Sequence, residues 1–283
     1  MKLYKYLSPE RTDVLELGLI RYTQPAALND PFEVRPYISA IASEEEADRV
    51  LHEVLPDETK KMYEKQPDQV REILSFQTVQ NLATKMLGDQ IGNIHSFMDM
   101  LTPVIRGVIA SKFDELLGIL SLTEKADNLL MWSHYSDSHA GFVIGFNADH
   151  PYFNERKGAK DEFRHLRKVE YRQDRPQATL VDHSGVEFFL VKSEHWSYER
   201  EWRIMRPLPE ADRVISAAPH TIHLFKFPPD AVVEIILGSR LGPVPRSNIE
   251  KLVKDDARYK HVEVLHAVPD EREFHVRIVD TPT

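Results

Sequence analysis

The sequence predicts an α+β fold, a mixed and mainly antiparallel sheet core with a helical insertion. Three observations predict it. The first 35 residues read as strand, helix, strand; helical periodicity dominates only from residue 43 to 117; and after Gly118 the chain becomes a series of short extended runs, most of them separated by Gly, Pro, Asn or Asp. One α+β domain over 1–283, with 43–117 inserted in it, is the simplest account.

Residues 3–7, "LYKYL", have the aromatic and branched composition of a strand. In "SPERTDVLELG" Ser8 is placed to cap a helix with Pro9 at its first position, and Gly18 is a natural stop. "LIRYTQP" is again extended, and Pro25 and Pro31 punctuate the loop that follows. "SEEEADRVLHEVL" opens with a serine and three glutamates, which a helix N-terminus favours, and Val50, Leu51, Val54 and Leu55 follow at helical spacing. Leu101, Val104, Ile105, Val108 and Ile109 repeat that spacing, so about three helices are expected in this block. "GILSLT", "AGFVIGFN", "LRKVEYR", "EWRIMRPL", "TIHLFKF" and "VVEIILG" read as strands, "RSNIEKLVKDDA" as a short helix, and "HVEVLHAV" and "FHVRIV" as the last two strands.

Composition narrows the function. The formal net charge is −9, which disfavours a surface built to coat nucleic acid and favours a small ligand or a protein partner. There is no cysteine, so disulfides, thiolate metal sites and a cysteine nucleophile are excluded. No window approaches the roughly 18 apolar residues of a membrane span, and the N-terminus lacks a signal-peptide core. A soluble, cytoplasmic protein without membrane contact is expected. A Walker lysine loop, a G-x-S-x-G elbow, an H-E-x-x-H pair and a G-x-G-x-x-G fingerprint are all missing from the sequence.

Three clusters carry polar chemistry. In the first, Asn29-Asp30-Pro31 is either a loop-stabilising turn or, with Glu33 near Arg21 and Lys5, part of a clamp for a positively charged ligand. In the second, Trp132, His134, Tyr135 and His139 precede the strand starting at Gly141. They form either a packed tryptophan with hydrogen-bonded histidines or a wall for a flat ligand, and two histidines five apart match no common metal signature. The third is "HWSYEREWRIM". Read as one strand, it puts Trp196, Tyr198, Trp202 and Ile204 on one face and Glu199, Glu201 and Arg203 on the other, with the glutamates about 7 Å apart. Arg200 and Arg203 can neutralise them, or the aromatic anchors can hold them as a reactive pair.

With "LYKYLS", "LNDPFE", "MWSHYSDSHAGFVIGF" and "KSEHWSYEREWRI", the chain from about residue 3 to 280 resembles a bacterial family of unknown function. That family is remotely similar to the ADP-ribosyltransferase superfamily. There the first strand often reads L-Y-H-x-T or carries an arginine, a helix and a second strand follow, and a catalytic glutamate comes late, often within E-x-E. Here Lys5 stands in the first-strand position, Tyr135 supplies the aromatic middle element, and Glu199-Arg200-Glu201 matches E-x-E. No S-T-S triplet occurs.

The resemblance implies an enzyme that cleaves NAD and transfers ADP-ribose to a protein or nucleic-acid acceptor, as a toxin or an anti-phage defence effector. Glu201 is then the catalytic carboxylate and Glu199 orients or deprotonates the acceptor. Tyr135 or Trp132 stacks on nicotinamide, and Lys5 or Arg21 meets the pyrophosphate. The implied nucleotide-binding set is Lys5, Tyr6, Arg21, Asn29, Asp30, Trp132, His134 and His139, without a metal. Two other readings stay open: a non-enzymatic module for a nucleotide or peptide, and a metal-dependent nuclease or hydrolase using Asp30, Glu33 and the histidines.

Overall fold

A computed structural model of the protein describes residues 1–35, 37–40, 43–49, 53–68, 71, 74–179 and 186–281. The chain forms two compact units. The first comprises Met1–Arg35, Lys112–Arg175 and Val186–Thr283, and the second Pro36–Ser111 and Pro176–Gly185. The described strands are, in chain order, β1 Lys2–Leu7, β2 Leu19–Tyr22, β3 Tyr37–Ala40, β4 Leu117–Thr123, β5 Phe142–Asn147, β6 Arg167–Lys168, β7 Glu170–Arg172 and β8 Gln177–Thr179. They continue with β9 Val191–Ser193, β10 Glu201–Pro207, β11 Arg213–Ile215, β12 Ile222–Lys226, β13 Val232–Leu237, β14 Glu263–Pro269 and β15 Val276–Val279.

The first unit holds an eight-stranded sheet in the order β15-β14-β13-β5-β1-β4-β10-β6, and a three-stranded sheet β11-β12-β2. Every pairing in these two sheets is antiparallel except β13 with β14, so the α+β expectation holds. Alternation along the strands decides what each face meets. Leu3 and Leu7 of β1, Leu120 and Leu122 of β4 and Ile204 of β10 join the main core with Phe142, Ile144 and Phe146. Tyr6 points the other way, into a smaller cluster with Trp132, Val143 and Ile236. On β10, Met205 packs with Ile119 and Leu117 of β4, Val34 and Phe189.

The opening segment follows the sequence with one substitution of structure. Pro9–Thr12 is a 3-10 turn and only Asp13–Leu17 is α-helical, because the Ser8 hydroxyl turns to Glu10 at 2.5 Å and caps no backbone amide. Gly18 ends the helix at φ 63°, a left-handed conformation that favours glycine, with its N–H bonded to the Val14 carbonyl. At Gly141 the constraint is space: a Cβ there would lie 2.0 Å from the Leu7 carbonyl oxygen and 3.0 Å from that of Ser136. The β1 end and the 136–141 loop close on this residue.

The second unit carries helices Glu44–Arg49 and Leu55–Glu64, the part of helix Phe76–Leu116 up to Ser111, and the parallel pair β3-β8. Arg106 lies over the Tyr37 ring at 5.0 Å and donates to the Ile38 carbonyl. Of the residues expected on one apolar face, Leu101, Ile105 and Ile109 are half-buried, whereas Val104 and Val108 are 60% and 56% exposed. The two sets are adjacent i,i+4 rows, and only one is covered. Val50 and Leu51 lie outside the described residues. No described helix is long and apolar enough to cross a membrane.

Gly141→Ala is expected to lower the unfolding free energy by about 1–3 kcal/mol or more, since the added methyl meets backbone that cannot swing aside. Urea denaturation followed by tryptophan fluorescence measures it.

Candidate functional site

Strand β4 has one edge fully paired to β10, from Glu201 opposite Thr123 to Pro207 opposite Leu117. Its other edge is divided. Thr123 pairs with Tyr4 of β1, while Ile119 exchanges both backbone hydrogen bonds with Thr23, just beyond β2, at 2.8 and 2.9 Å. Between these two points β4 passes from one sheet to the other, and the Ser121 carbonyl accepts the Lys5 ammonium at 3.1 Å instead of a strand amide. A cleft of about 210 Å3 opens there, lined on the strand side by Lys5, Ser121 and Glu201, and walled by Asn29, Asp30, Glu33, Tyr135, Lys192, Trp196 and Glu199.

The acidic residues reach this cleft through a break in regular structure. Glu194–Glu199 is a 3-10 helix, Arg200 is left-handed at φ 43°, and β10 begins at Glu201. The expected single strand over 195–205 is therefore corrected: Trp196 and Tyr198 do not share the face of Trp202 and Ile204. The glutamates nevertheless converge, because one ammonium holds both. Lys192 Nζ lies 2.5 Å from Glu199 Oε2, 3.1 Å from Glu201 Oε2 and 3.5 Å from Glu33 Oε2. Arg203, two residues along β10 on the same side, meets Glu201 with Nε at 2.7 Å and Nη2 at 2.9 Å. It also donates to Glu33, and to the Phe189 carbonyl at 2.7 Å. Tyr135 donates to Glu199 Oε1 at 2.5 Å, and Asn29 hydrogen-bonds the Tyr135 side chain.

Burial sets the electrostatics. Glu33, Glu199, Glu201, Lys192 and Arg203 are all buried, Arg203 completely. Burial pushes the Glu201 carboxyl up; Lys192 counters this and Glu199 adds to it. Burial disfavours the Lys192 ammonium, but Glu201 and then Glu199 outweigh it and hold the amine above the ordinary lysine range. Arg203 is drawn down by burial to about 9 and stays cationic at neutral pH. Tyr135 is pushed well up, first by burial and then by Glu199, so it remains a phenol. Lys5 is drawn down to about 8 by burial, with Glu201 opposing. Counting every such group, four buried carboxylates, Asp30, Glu33, Glu199 and Glu201, stand against three cations, Lys5, Lys192 and Arg203, so the formal charge at the cleft wall is negative.

Of the residues singled out in the sequence, Lys5, Tyr6, Asn29, Asp30, Tyr135, Glu199 and Glu201 line the cleft. Asp30 also serves its turn, accepting the Phe32 amide at 2.8 Å. Four others stand elsewhere. Trp132 is fully buried, edge-on to Tyr6 at 5.2 Å, with its indole N–H on the Ala126 carbonyl at 2.8 Å; it is a core residue that supports the Tyr6 wall. His139 closes a run of three left-handed residues from Asp137, stacks on Trp132 and gives its carbonyl to the Arg240 amide, so it shapes a loop. His134 is exposed, with Nδ1 3.1 Å from the Tyr198 hydroxyl. Arg21 is half-buried beside Arg11, and its Nε has no hydrogen-bond partner among the described residues. Neither histidine joins Asp30 and Glu33, and among the described residues no three His, Asp or Glu side chains are grouped to hold a metal ion.

Lys192, which holds the glutamates, was not anticipated. The signal was a cation ending the apolar run "FFLVK", where an amine will be buried and needs carboxylates. Strand β9 places it beside Tyr171 of β7, whose hydroxyl accepts the Glu201 amide at 2.8 Å. Trp196 lies 5.1 Å from the Lys192 ammonium with its ring facing it.

Residues 131–204, which span Tyr135, Lys192, both glutamates and Arg203, match the model of a family described as Protein of unknown function (DUF2971). No curated protein and no solved structure matches the chain.

Lys192→Met is expected to cost about 3–5 kcal/mol at neutral pH, because it leaves buried carboxylates without their shared cation. Loss of the ammonium removes what counters the burial of Glu201, so the folded-state pKa of that carboxyl rises further above its unfolded value, and the folded state, binding more protons, regains stability as pH falls. Urea unfolding of the variant and the wild type at about pH 7.5 and about pH 5 should show a smaller gap at the lower pH.

Proposed function

We propose that the cleft breaks the bond between nicotinamide and ribose in NAD and passes ADP-ribose to a protein or nucleic-acid acceptor, in the manner of the ADP-ribosyltransferases that the sequence resembles. One observation carries this reading: residues from separate chain segments, Lys5, Asn29, Tyr135, Glu199 and Glu201, face one cleft whose wall has more carboxylates than buried cations. As the glycosidic bond lengthens, its electron pair leaves with nicotinamide and positive charge grows on the ribose. A fixed surplus of negative charge is worth more to that transition state than to the substrate, whose charge is spread over the pyridinium ring.

Glu201 is the group that meets this charge. Its carboxylate is held from one side by Arg203 and Lys192, so it needs no reorganisation when the charge appears. Glu199 accepts the proton of the incoming nucleophile, and the Tyr135 hydroxyl orients it. At about 210 Å3 the cleft is smaller than the roughly 300–1,000 Å3 of whole-ligand pockets. It suits the nicotinamide and ribose end, with the rest of the dinucleotide along the mouth. A role as a toxin or an anti-phage effector follows from such chemistry if the acceptor is a macromolecule that a cell or a phage cannot spare.

A second reading rests on the same geometry. Both oxygens of Glu201 are already engaged, which suits a static site that binds a nucleotide or a peptide and transforms nothing. The metal-dependent reading has less to stand on, since the Glu33 oxygens go to Arg203 and Lys192.

Incubating the purified protein with NAD and a cell extract as acceptor is expected to release nicotinamide, read by chromatography. Tyr135→Phe and Glu199→Gln should slow the release by about 10²–10⁴-fold. Undiminished release in both variants would remove Glu199 and Tyr135 from the chemistry. A rise in melting temperature with NAD and no nicotinamide would assign the site to binding alone.

A further inference from the structure

Lys5 stands apart from the other cations of the cleft. Lys192 touches three carboxylates and Arg203 two, whereas the Lys5 ammonium has one fixed partner, the neutral carbonyl of Ser121, and no ion pair among the described residues. On β1 it lies between Leu3 and Leu7, both buried in the main core, so its stem leaves an apolar face and its amine emerges at the cleft.

We propose that Lys5 is an imine-forming lysine, its amine condensing with the aldehyde or ketone carbon of a small ligand held in the cleft. The neutral amine adds to the carbonyl carbon, and the carbonyl oxygen takes up a proton to give a carbinolamine. The nitrogen lone pair then closes the C=N bond as water leaves. The net change is amine plus carbonyl to imine plus water, with no oxidant or reductant. Both protons lost by the nitrogen end on that oxygen, and the Tyr135 hydroxyl, bonded to Glu199 and lining the same cleft, is the group to relay them, itself returning to the phenol.

The surroundings suit both halves of this step. Burial, together with Arg11 and Arg21, favours the neutral nucleophile and brings the amine to about 8, while Glu201 and Glu199 oppose them. Once the iminium forms, its fixed positive charge lies in the field of those same two carboxylates. A volume of about 210 Å3 limits the partner to a compact carbonyl compound, or to the carbonyl end of a longer one.

The test is reductive trapping with glycolaldehyde and cyanoborohydride on the intact chain without NAD, so that its outcome is separate from nicotinamide release. Peptide mass spectrometry at limiting aldehyde and neutral pH is expected to place the adduct on Lys5 ahead of the exposed lysines. Its yield should rise through about pH 8, in contrast to the later rise of lysines with ordinary values near 10.4. Lys5→Arg keeps the charge and should remove the selective adduct while the melting temperature stays close to that of the wild type. Adducts spread over surface lysines with Lys5 unmodified, or Lys5 trapped only in urea, would overturn the proposal.

Discussion

The ammonium of Lys192 is the contact on which the site depends. Three carboxylates from two distant parts of the chain, Glu33 in the loop after β2 and Glu199 and Glu201 around the start of β10, end on this one group. Without a cation between them, buried carboxylates at such separations would have to take up protons or separate. With it, they are held close together. Arg203 adds its own bonds to Glu201 and Glu33, and its position is fixed by strand alternation, two residues from Glu201. The cost of bringing so many charges out of water is met by mutual contact, and in general such clusters contribute little net stability. Stability alone therefore does not account for them.

The cluster lies where it does because β4 serves two sheets. An antiparallel strand normally gives every second amide and carbonyl to each neighbour. β4 does so with β10, but on its other edge it turns from Tyr4 to Thr23, and backbone groups between these points are released from the ladder. A gap in a ladder is a place where a side chain or a ligand can meet main-chain atoms without displacing a strand. Lys5 takes that position against Ser121, and the cleft follows the same gap. The surrounding cores, Leu122 and Ile204 on one side and Ile119 and Met205 on the other, hold the two edges apart.

Much of this was legible in the sequence because the extended runs are short and mostly bounded by turn residues: all six runs from "GILSLT" to "VVEIILG" contain strand, β4, β5 and β10 among them, with "LRKVEYR" split into β6 and β7. Residue type and motif also picked out Asp30, Tyr135, Glu199 and Glu201 in separate segments, and these line one cleft. What could not be read was long-range. Nothing local distinguishes Lys192 from a surface lysine until β9 is set against β7 and turned toward β10. The histidines misled for the opposite reason. His139 has a chemically suggestive side chain, yet what the fold uses is its left-handed backbone and its carbonyl, which the side chain does not reveal. Trp132 combined a polar edge with a large apolar body, and burial won once Tyr6 offered a partner.

Backbone strain marks the same residues as the charge does. Val34 follows Glu33 and is left-handed at φ 54°, an unfavourable choice for a β-branched residue; Arg200, between the two glutamates, is left-handed at φ 43°. Conformations of this kind cost on the order of 1–3 kcal/mol each and persist only where the surroundings over-determine them. Val34 is fully packed against Ile119, Met205 and Phe189, so its conformation is enforced by the core while Glu33 is aimed at Lys192 and Arg203. Arg200 is exposed, and its backbone is held by hydrogen bonds to Ser197 and Glu124, while Glu199 and Glu201 on either side are both tied to Lys192. A regular strand through this segment would relieve Arg200, and would carry Glu199 away from the hydroxyl of Tyr135. The strain is thus the local consequence of holding two carboxylates at one cleft, and it points to the aim of the carboxylates, more than to the strand itself, as the feature that the segment preserves.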